Sequence, residues 1–486
     1  MLLGEILKRI EYIKCINFRD CEISGVSEYS YSVGAGETFV CIKGILYNGN
    51  DFANEAKARG AVAFVTSEEM SLKGFENVII VDNPRKCEAE IAKILYGENV
   101  DKLKIIGITG TKGKTTTAKI LAECSSYIGL KCISIGTLGT EYYENGERVY
   151  LSESKENTTP DAPYIYKALS DAYRDGARVG IIEVSSQALK SYRVWGIPFT
   201  VCIFTNFSPD HIGECEHKSL DDYLDAKRKL FTDYGAKICV LNSDDRASAF
   251  ISHGIEHIVE VGERSESFKL TLLSSGESYS SFLLSGRELS VSLGGDFNAY
   301  NASLAVATAS LIFARDILQF APVLKSISVP GRYEIYKLGE KRIIIDFAHN
   351  GESFRSIMTS ARKNTRGRLI AVFGSVGGRS LARREELGKV ADELCDRLII
   401  TADNPGEESV DKICGSIFSA VTDKSKAKII ADRESAIRYA VSTADDGDTV
   451  LLLGKGHEEY QLVEKARVPF SERAILKSLG AIAQTS

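Results

Sequence analysis

A short glycine-rich loop between an apolar run and a helical stretch constrains the fold of this chain more than any other feature. The loop, Thr109-Gly-Thr-Lys-Gly-Lys-Thr, follows the strand-like run Lys104–Ile108 and leads into a helix predicted over Thr115–Gly129. Backbone N–H groups in such a loop can surround phosphate oxygens, and the helix N-terminus adds a positive dipole end. The order of strand, loop and helix therefore predicts an α/β domain that binds the phosphates of a nucleotide.

Two side chains of this loop indicate phosphate and metal chemistry. Lys114 is expected to contact the β- and γ-phosphates, and the Thr115 hydroxyl to bind Mg²⁺. The commoner pattern has a further glycine five residues before Gly113, where this chain has Ile108, so the loop is a shortened variant. The alternative is a glycine- and threonine-rich turn with no ligand, but the strand, the lysine, the hydroxyl and the helix all occur in register.

Strand-like and helix-like stretches alternate along most of the 486 residues. Further helices are predicted at Arg384–Cys395 and Glu434–Ser442. Strands are predicted at Ala61–Val65, Val78–Val81, Lys104–Ile108, Val179–Glu183, Val201–Thr205, Lys237–Leu241, Ile343–Phe347, Leu369–Phe373, Arg397–Thr401 and Thr449–Leu453. This βαβα order predicts parallel sheets with helices on both faces. The serine-rich interval 265–294 differs, because polar and apolar residues alternate there in short runs. It predicts an inserted antiparallel hairpin region.

Length and turn residues divide the chain into three predicted α/β domains. Domains of roughly 100–200 residues each give about three for this length. We place the first at 1–102, before the strand of the phosphate loop, the second at 103–328 and the third at 329–486. Val329-Pro-Gly-Arg marks the second boundary, because proline fixes φ and glycine permits unusual dihedrals.

Composition argues against several classes of protein. The formal net charge is −6 and the pI is near 5.8, which gives no basic surface for nucleic acid. Eleven cysteines without CxxC spacing indicate free thiols in a reducing compartment. No basic segment followed by an apolar one opens the sequence, and no apolar run is long enough to span a bilayer. We expect a cytoplasmic monomer with no nucleic-acid partner and no membrane insertion.

Polar side chains end two further predicted strands. Glu183 closes the strand Val179–Glu183 and could hold a metal, although alone it is equally consistent with a contact to a helix or loop. Asp210 and His211 come just after the strand Val201–Thr205. A lone histidine is usually structural, but this one follows an aspartate at the carboxyl end of a strand, which favours a ligand as much as a structural residue.

The last third of the chain has three more polar strand ends. They are Asp346-Phe-Ala-His, Asp403-Asn-Pro-Gly and Gly454-Lys-Gly-His-Glu. Each is a moderate signal alone, since such turns also occur as plain loops. On one predicted parallel sheet they should converge on one crevice. The stretch Leu220–Phe231 reads as an amphipathic helix whose charges would ordinarily form a solvated face.

Together these motifs resemble those of the Mur ligases, and most closely the UDP-N-acetylmuramoyl-tripeptide synthetases, which add the third stem-peptide residue in peptidoglycan synthesis. The resemblance covers nearly the whole chain in the family's order. Its motifs are Gly34-Ala-Gly-Glu-Thr-Phe-Val-Cys-Ile-Lys-Gly, Asn48-Gly-Asn-Asp-Phe, Thr109-Gly-Thr-Lys-Gly-Lys-Thr, Asn157-Thr-Thr-Pro-Asp, Glu183-Val-Ser-Ser, Thr205-Asn-Phe-Ser-Pro-Asp-His, Tyr223-Leu-Asp-Ala-Lys-Arg-Lys-Leu-Phe, Phe297-Asn-Ala-Tyr-Asn, Pro330-Gly-Arg, Asp346-Phe-Ala-His, Asp403-Asn-Pro and Gly454-Lys-Gly-His-Glu. The Thr-Thr-Pro-Asp and Asp-Asn-Pro elements are typical of the third-residue group.

The resemblance implies a fold and a reaction. The first domain would bind the UDP-muramoyl substrate, the central domain would be a P-loop ATPase-like α/β domain, and the last a Rossmann-like domain for the amino acid. ATP would phosphorylate the D-glutamyl carboxylate of UDP-MurNAc-L-Ala-D-Glu, and the amine of a free amino acid would attack the acyl phosphate. Closure of the last domain would exclude water. The protein would then serve cell-wall biogenesis, cell shape and cell division.

The resemblance also implies roles for individual residues. The ATP site would comprise Gly110, Thr111, Lys112, Gly113, Lys114, Thr115, Thr116, Asn298, Arg332, Asp346 and His349. The Mg²⁺ ligands would be Thr115, Glu183, His211 and Lys227. The UDP-muramoyl dipeptide would contact Ser30, Thr158, Thr159, Ser185, Arg193 and Lys227, and the amino acid Arg379, Asp403, Asn404 and Glu458. The catalytic set would be Lys114, Glu183, His211, Lys227, Arg332 and His349.

Lys227 falls on the lysine that is carbamylated in this family. A bare ammonium beside Mg²⁺ would be repelled at low effective dielectric, whereas a carbamate formed with CO₂ is an anion that can bind metal. The alternative is an unmodified Lys227 on a solvated helix face.

Several positions depart from the family pattern. Enzymes that use meso-diaminopimelate usually have arginine after Asp-Asn-Pro, where this chain has Gly406, which cannot grip a carboxylate. We therefore expect lysine or another diamino acid, with Glu407, Glu408 or Glu458 pairing with its distal ammonium. Other departures affect recognition surfaces: Tyr29-Ser-Tyr replaces Asp-Ser-Arg, Ser191 replaces a glutamine, and Val376-Gly-Gly-Arg-Ser replaces Gly-Gly-Asp-Arg-Asp.

These departures leave three alternatives. The first is a paralogous ligase that acts on another peptide or on a modified precursor. The second is a folylpolyglutamate synthetase, which shares the ligase core but has its phosphate loop near the start of the chain. About a hundred residues precede the loop here, which argues against it. The third is an inactive nucleotide-binding protein, and retention of the set that includes Lys114, Glu183 and Lys227 argues against that.

Overall fold

Three sheets, each covered by helices, make up three α/β domains. The computed structural model describes all residues except 45–46, 69–73, 153–156, 210–216, 277, 379–380 and 485–486. His211 and Arg379, both predicted site residues, lie outside the described residues. By internal contacts the chain forms two compact units, Met1–Thr271 with Phe282–Leu289 and Tyr300–Leu324, and Lys325–Ser486 with Leu272–Ser281 and Ser290–Ala299.

The first sheet has five strands in the order β1-β5-β4-β3-β2. Its elements are α1 (Leu3–Leu7), β1 (Lys14–Ile16), β2 (Gly25–Ser27), β3 (Glu37–Val40), α2 (Ala53–Ala58), β4 (Ala63–Thr66), β5 (Val78–Ile80) and α3 (Pro84–Val100). Strands β2 to β5 pair in parallel, and β1 pairs with β5 in the antiparallel sense. Helix α3 begins where the Asn83 side chain accepts the N–H of Lys86, with Pro84 in the first turn.

The central sheet has eleven strands in the order β16-β15-β14-β13-β12-β11-β6-β10-β7-β8-β9. Its strands are β6 (Lys104–Thr109), β7 (Cys132–Gly136), β8 (Gly139–Glu144), β9 (Glu147–Ser152), β10 (Val179–Glu183), β11 (Phe199–Phe204), β12 (Ile238–Asn242), β13 (Ile258–Gly262), β14 (Phe268–Ser275), β15 (Ser280–Leu284) and β16 (Arg287–Val291). Its helices are α4 (Lys114–Tyr127), α5 (Ala162–Arg174), α6 (Ser186–Lys190), α7 (Leu220–Thr232), α8 (Ser248–Ser252), α9 (Asp296–Phe313) and α10 (Ala321–Ser326). Strands β7, β10, β6, β11 and β12 run parallel and are buried, as expected for a sheet with helices on both faces.

The third sheet has seven strands in the order β21-β20-β19-β22-β18-β17-β25. Its elements are β17 (Glu334–Leu338), β18 (Lys341–Asp346), α11 (Gly351–Lys363), β19 (Leu369–Phe373), α12 (Leu381–Leu394), β20 (Arg397–Ile400), α13 (Val410–Ala420), β21 (Ala427–Ile429), α14 (Arg433–Thr443), β22 (Thr449–Leu453), α15 (Glu472–Ser478) and β25 (Ile482–Ala483). A two-stranded ribbon, β23 (Tyr460–Val463) with β24 (Ala466–Pro469), lies outside this sheet. Three short 3₁₀ helices occur at Gly49–Phe52, Ile317–Phe320 and Lys424–Lys426.

The first and second sheets share one hydrophobic core. A single cluster of buried side chains includes Val65 of β4, Ile91 of α3, Ile105 of β6 and Leu169 of α5. This continuity explains why the first predicted domain and most of the second form one compact unit. The third sheet has its own clusters, one on each face, with Phe354 in the first and Ile437 in the second.

The predicted strands and helices are confirmed to within a few residues, and the predicted parallel sheets carry additional antiparallel strands at their edges. Strands β8 and β9 extend the central sheet as an antiparallel hairpin, and β17 and β25 add antiparallel edges to the third sheet. The region 265–294 forms β14, β15 and β16, with Ser285 and Gly286 at positive φ in the tight turn between the last two.

Within the part of the chain described, no single helix has the length and hydropathy needed to cross a membrane. Two consecutive helices, Asp296–Phe313 and Ile317–Ser326, are bent by 120° relative to each other. Taken together, they meet the length and composition criteria for a membrane span, and only those criteria.

Candidate active site

The phosphate loop has the predicted strand–loop–helix form. Strand β6 ends at Thr109, and α4 begins at Lys114 after Gly113, which has φ +84°. A Cβ at Gly113 would also overlap the amide oxygen of Asn301, so both backbone and space require glycine here. The Lys114 ammonium donates to the carbonyls of Gly110 at 2.7 Å and of Thr111 at 3.1 Å. The lysine therefore folds back over the loop that would hold phosphate.

The neighbouring strand end was singled out from the sequence for Asp210 and His211, but it is Thr205 and Asn206, given no role there, that hold this loop in shape. The Asn206 side chain accepts the N–H of Lys112 at 2.9 Å and donates to the Lys112 carbonyl at 3.0 Å. The Asn206 carbonyl accepts the N–H of Thr111 at 2.9 Å, and the Thr205 hydroxyl donates to the Lys112 carbonyl at 2.6 Å. Their position at the end of β11, beside β6 in the sheet, could have indicated this role.

Glu183, at the end of β10, faces the first turn of α4. Its carboxylate accepts the Thr115 hydroxyl at 2.8 Å and both the N–H (2.9 Å) and the hydroxyl (3.1 Å) of Thr137. Burial raises the pKa of Glu183, and the nearby Lys114 and these hydrogen bonds act in the opposite direction. Thr137 is a further contact that the sequence alone did not indicate.

The oxygens of Thr115 and Glu183 fit Mg²⁺, which prefers a few protein oxygens together with nucleotide phosphates and water. Among the described residues, no three His, Cys, Asp or Glu side chains lie close enough to bind a metal by themselves. The Thr115 and Glu183 oxygens suit a cation that is bound together with a nucleotide.

Lys227 lies beside the same loop and not on a solvated face. Its side chain, on α7, is 1% exposed. The ammonium donates to the Gly110 carbonyl at 3.0 Å and lies 4.2 Å from the ring centre of Tyr223. The Tyr223 hydroxyl in turn lies 3.3 Å from the Thr111 hydroxyl. The solvated-helix alternative for Lys227 is therefore wrong.

Four of the residues expected to contact the muramoyl peptide lie together near Glu183. The Thr159 hydroxyl donates to the backbone carbonyl of Glu183 at 2.8 Å and accepts the N–H of Ser185 at 3.0 Å. Arg193 donates to the Thr159 carbonyl at 3.0 Å. Thr158 accepts a hydroxyl hydrogen bond from Thr137 at 3.3 Å. These hydrogen bonds hold the predicted peptide-binding residues beside Glu183 at the end of β10. The Glu183 carboxylate in turn contacts Thr115, which follows the phosphate loop.

Ser30 has a separate environment in the first domain. It is 8% exposed, and its hydroxyl donates to the carboxylate of Glu55 at 2.8 Å. No contact among the described residues links it to the phosphate loop.

In the second compact unit, Arg332, Asp346 and His349 lie close together. The Arg332 guanidinium lies 4.7 Å from the ring centre of Phe347, and the His349 ring 5.0 Å from it. The Asp346 carboxylate accepts the N–H groups of Tyr333 (2.8 Å) and Ala348 (2.7 Å). Burial raises the pKa of Asp346, and Arg332 opposes that rise.

Asn298, the remaining predicted nucleotide contact, lies in the first turn of α9. Its side-chain amide donates to the Gly294 carbonyl at 2.8 Å.

The predicted amino-acid residues Asp403, Asn404 and Glu458 meet around a lysine that the sequence did not single out. Lys455, fully buried, donates to Asn404 at 2.7 Å and to Glu458 at 2.9 Å, and lies 3.7 Å from Asp403. Asn404 also donates to Glu458 at 2.9 Å. Burial raises the pKa of Glu458, an effect that Lys455 opposes. The Gly-Lys-Gly-His-Glu motif contains Lys455, so its position was available from the sequence.

Two carboxylates predicted to receive a distal ammonium already have cationic partners. Glu408 forms a two-pronged pair with Arg384, at 2.8 and 2.6 Å, and Arg384 is 1% exposed. Glu407 lies 3.4 Å from Lys465 on the surface. Glu458 likewise pairs with Lys455, at 2.9 Å, and of the three carboxylates it is the one within the buried cluster.

The Arg384–Glu408 pair makes an acid-dependent contribution to stability. The hydrogen bonds that Glu408 accepts from Arg384 lower the pKa of Glu408 to about 2 from an ordinary 4.5. Because the folded-state pKa is lowered, the contribution is present above pH 4.5 and is lost as the pH falls towards 2. We expect Glu408→Gln to destabilise the protein by about 2 kcal/mol or more at pH 7, since buried Arg384 loses its counter-charge.

Urea unfolding from pH 7 to pH 3 would measure this difference. The difference in free energy of unfolding between wild type and Glu408→Gln should become smaller below about pH 4.5. Glu407→Gln, which removes an exposed pair, is the matched control and should cost less than about 1 kcal/mol. Equal effects of the two variants at pH 7 would contradict the interpretation.

Three family models match consecutive parts of the chain. They describe the Mur ligase family catalytic domain over 22–107, the Mur ligase middle domain over 108–309 and the Mur ligase glutamate ligase domain over 331–456. The chain belongs to the Mur ligase family. The middle match begins at the phosphate loop, and the protein is accordingly an ATP-dependent ligase that forms amide bonds.

Curated Mur ligases match almost the full length. The UDP-N-acetylmuramoyl-L-alanyl-D-glutamate–2,6-diaminopimelate ligase of Aquifex aeolicus is 37% identical over 94% of this chain and 93% of its own. The ligase of the same name from Geobacillus kaustophilus is 34% identical over 92% of this chain and 93% of its own. A solved structure of a ligase of that name is 26% identical, with a TM-score of 0.63, and covers 94% of both chains.

The Mur ligase fold is also shared more widely. A folylpolyglutamate synthase from Mycobacterium tuberculosis matches 75% of this chain and 91% of its own at 15% identity and a TM-score of 0.61. At that identity the match shows the fold alone. The separate match of a Mur ligase model to residues 22–107 agrees with the expectation that this chain is not a folylpolyglutamate synthetase.

Proposed function

We propose that this ligase adds the third amino acid to UDP-MurNAc-L-Ala-D-Glu in peptidoglycan synthesis. The observation that carries the proposal is the hydrogen bond from Thr159 to the Glu183 backbone, because it joins the residues expected at the muramoyl peptide to those expected at the metal and phosphates. The near-complete match to relatives named for this step supports it.

The reaction begins with attack of the D-glutamyl carboxylate on the γ-phosphorus of ATP. The P–O bond to ADP breaks, and the carboxylate becomes an acyl phosphate. The amine of the incoming amino acid then attacks the acyl carbon, loses a proton and releases phosphate. Lys114 leaves the Gly110 and Thr111 carbonyls and stabilises the charge on the transferring phosphoryl group. Mg²⁺, held by Thr115 and Glu183, would add to this stabilisation.

The other roles follow the position of each residue. Backbone N–H groups of the loop and of the first turn of α4 bind phosphate, apart from those of Thr111 and Lys112, which Asn206 accepts. Thr159, Ser185 and Arg193 hold the peptide. We further propose that Lys227 is carbamylated and, with His211, completes the metal site. Support comes from the burial of Lys227 beside the loop, since an anion there would favour Mg²⁺ and an ammonium would repel it.

The third residue is proposed to be a diamino acid, and two candidates have separate support. Gly406 in place of arginine favours lysine or a similar residue without a distal carboxylate. The names of the relatives favour meso-diaminopimelate. We propose lysine-type selectivity, because position 406 offers no guanidinium for a distal carboxylate.

The direct experiment is mass spectrometry of the product with L-lysine, D-lysine, L-ornithine and meso-diaminopimelate as competing amino acids. A UDP-MurNAc-tripeptide that contains one of them would support the proposal and name the residue. Turnover with a different peptide acceptor alone would favour a paralogue that acts on a modified precursor. ATP binding without any product would favour an inactive nucleotide-binding protein.

Gly406→Arg is expected to shift selectivity towards meso-diaminopimelate. Position 406 has φ +58°, and a Cβ there would approach only the Glu464 carbonyl, at 4.0 Å. A side chain therefore fits, at a backbone cost of about 1–2 kcal/mol. We expect the ratio of kcat/KM for diaminopimelate to that for lysine to rise about tenfold, the effect of about 1.4 kcal/mol. Gly406→Ala, with the same backbone cost, is the control, and equal ratios in the two variants would contradict the prediction.

A further inference from the structure

A serine, a histidine and an aspartate in the central domain form a hydrogen-bonded chain. The His217 Nε2 atom lies 2.8 Å from the Ser186 hydroxyl, and its Nδ1 atom 3.2 Å from the Asp222 carboxylate. The same carboxylate accepts the Lys190 ammonium at 2.9 Å and 3.2 Å and the backbone N–H of Lys218 at 3.1 Å. None of these residues has a role in the proposed reaction.

The chain of hydrogen bonds fixes how His217 is protonated. Its side chain is fully buried, and burial lowers its pKa, with Lys190 acting in the same direction. A neutral imidazole has one N–H donor and one acceptor nitrogen. Because Asp222 can only accept, Nδ1 carries the proton, and Nε2 accepts from the Ser186 hydroxyl.

Ser–His–Asp geometry can activate a serine nucleophile, but this serine is not placed to react. Ser186 is 4% exposed and lies in the first turn of α6. His217 is fully buried, and its ring packs 4.9 Å from that of Tyr223. The serine hydroxyl is therefore shielded from solvent, which favours a structural role for the hydrogen-bonded chain over a nucleophilic one.

The elements that it joins carry the two halves of the proposed site. Ser185 caps α6, with its hydroxyl accepting the N–H of Ala188 at 3.2 Å, and Arg193 follows the helix. Asp222 lies in the first turn of α7, the helix that carries Lys227 five residues later. Lys190 at the end of α6 and Ser186 at its start both reach Asp222, directly or through His217.

We propose that His217 is a positioning residue that holds α6 against α7, so that Ser185 and Arg193 keep a fixed distance from Lys227. The inference rests on the proposed function, in which the first two bind the muramoyl peptide and the third completes the metal site. Loss of His217 leaves ATP binding intact, because none of its hydrogen-bond partners among the described residues belongs to the phosphate loop. The same loss of His217 weakens binding of UDP-MurNAc-L-Ala-D-Glu and slows the first chemical step.

The variant His217→Ala tests this positioning role in the full chain. With ATP and the amino acid saturating, we expect KM for UDP-MurNAc-L-Ala-D-Glu to rise at least tenfold and KM for ATP to change less than twofold. His257→Ala, which removes an exposed histidine of the same unit, should leave both unchanged. A purely structural role would instead lower the melting temperature and the active fraction and leave both KM values as they are.

Two milder variants keep the test decisive if His217→Ala does not fold. His217→Gln has an amide that can both donate to Asp222 and accept from Ser186, so it should restore most of the affinity. Ser186→Ala removes one hydrogen bond and should raise the same KM several-fold. Unchanged KM for the muramoyl dipeptide in both Ser186→Ala and His217→Ala, with active wild type, would overturn the inference. An inactive wild type would overturn the proposed function and this inference with it.

Discussion

Lys227→Ala should lower kcat at least a hundredfold while the protein remains folded, and short carboxylates should restore part of the activity. The reason is the proposed carbamate, whose two oxygens would face the metal from a side chain that is 1% exposed. Acetate or formate could occupy the space left by the alanine and supply similar oxygens. Rates of phosphate release with and without added carboxylate would measure the effect.

Two controls separate a carbamate from a plain lysine. Lys229→Ala changes another lysine of α7, two residues away and part-exposed, and should have little effect. Removal of CO₂ and bicarbonate should lower the wild-type rate, and their return should restore it. Full activity of Lys227→Ala would exclude the carbamate role, and a loss that no carboxylate rescues would favour the ammonium, which already contacts Gly110.

Lys114→Ala should have the second large effect, a loss of about a thousandfold in kcat/KM for ATP. A single positioned donor at a developing charge is worth about 10²–10³ in rate, and Lys114 is also charged. The partners described for Lys114 are two neutral loop carbonyls, and Glu183, whose pKa Lys114 lowers, keeps its hydrogen bonds from Thr115 and Thr137. The melting temperature should therefore change little.

Steady-state kinetics with ATP as the varied substrate would test this prediction. Lys102→Ala, an exposed lysine just before β6, serves as the control and should behave like wild type. A Lys114→Ala enzyme within tenfold of wild type would show that the phosphate loop is not where catalysis takes place.

The sequence predicted the parts of the fold that depend on local pattern. Buried parallel strands such as β10 and β19 read as short apolar runs, and their predicted bounds are those observed. The hairpin β8–β9 was missed, because β9 is exposed on both faces and has no apolar alternation to mark it. Edge strands depend on pairing with a distant neighbour, which no local signal carries.

Candidate site residues were identified where a sequence motif lies next to the end of its own strand. Residues that contact the site from a neighbouring strand were missed. Glu183 and Lys114 were identified by position; in the structure Glu183 accepts the Thr115 hydroxyl and Lys114 donates to two loop carbonyls, while their roles stay predictions. Asn206 and Thr137 were not, because their contacts with residues 112 and 183 follow from sheet order alone. Lys455 was overlooked inside a recognised motif, since a lysine between glycines reads as a solvated loop residue until its burial is known.

The acyl phosphate is the central claim, and isotope transfer tests it most directly. UDP-MurNAc-L-Ala-D-Glu would be prepared with ¹⁸O in the D-glutamyl side-chain carboxylate and incubated with ATP, Mg²⁺ and L-lysine. One labelled oxygen should appear in each phosphate released, and release should require both the dipeptide and the amino acid. Phosphate release without label, or release that needs neither substrate, would contradict the account.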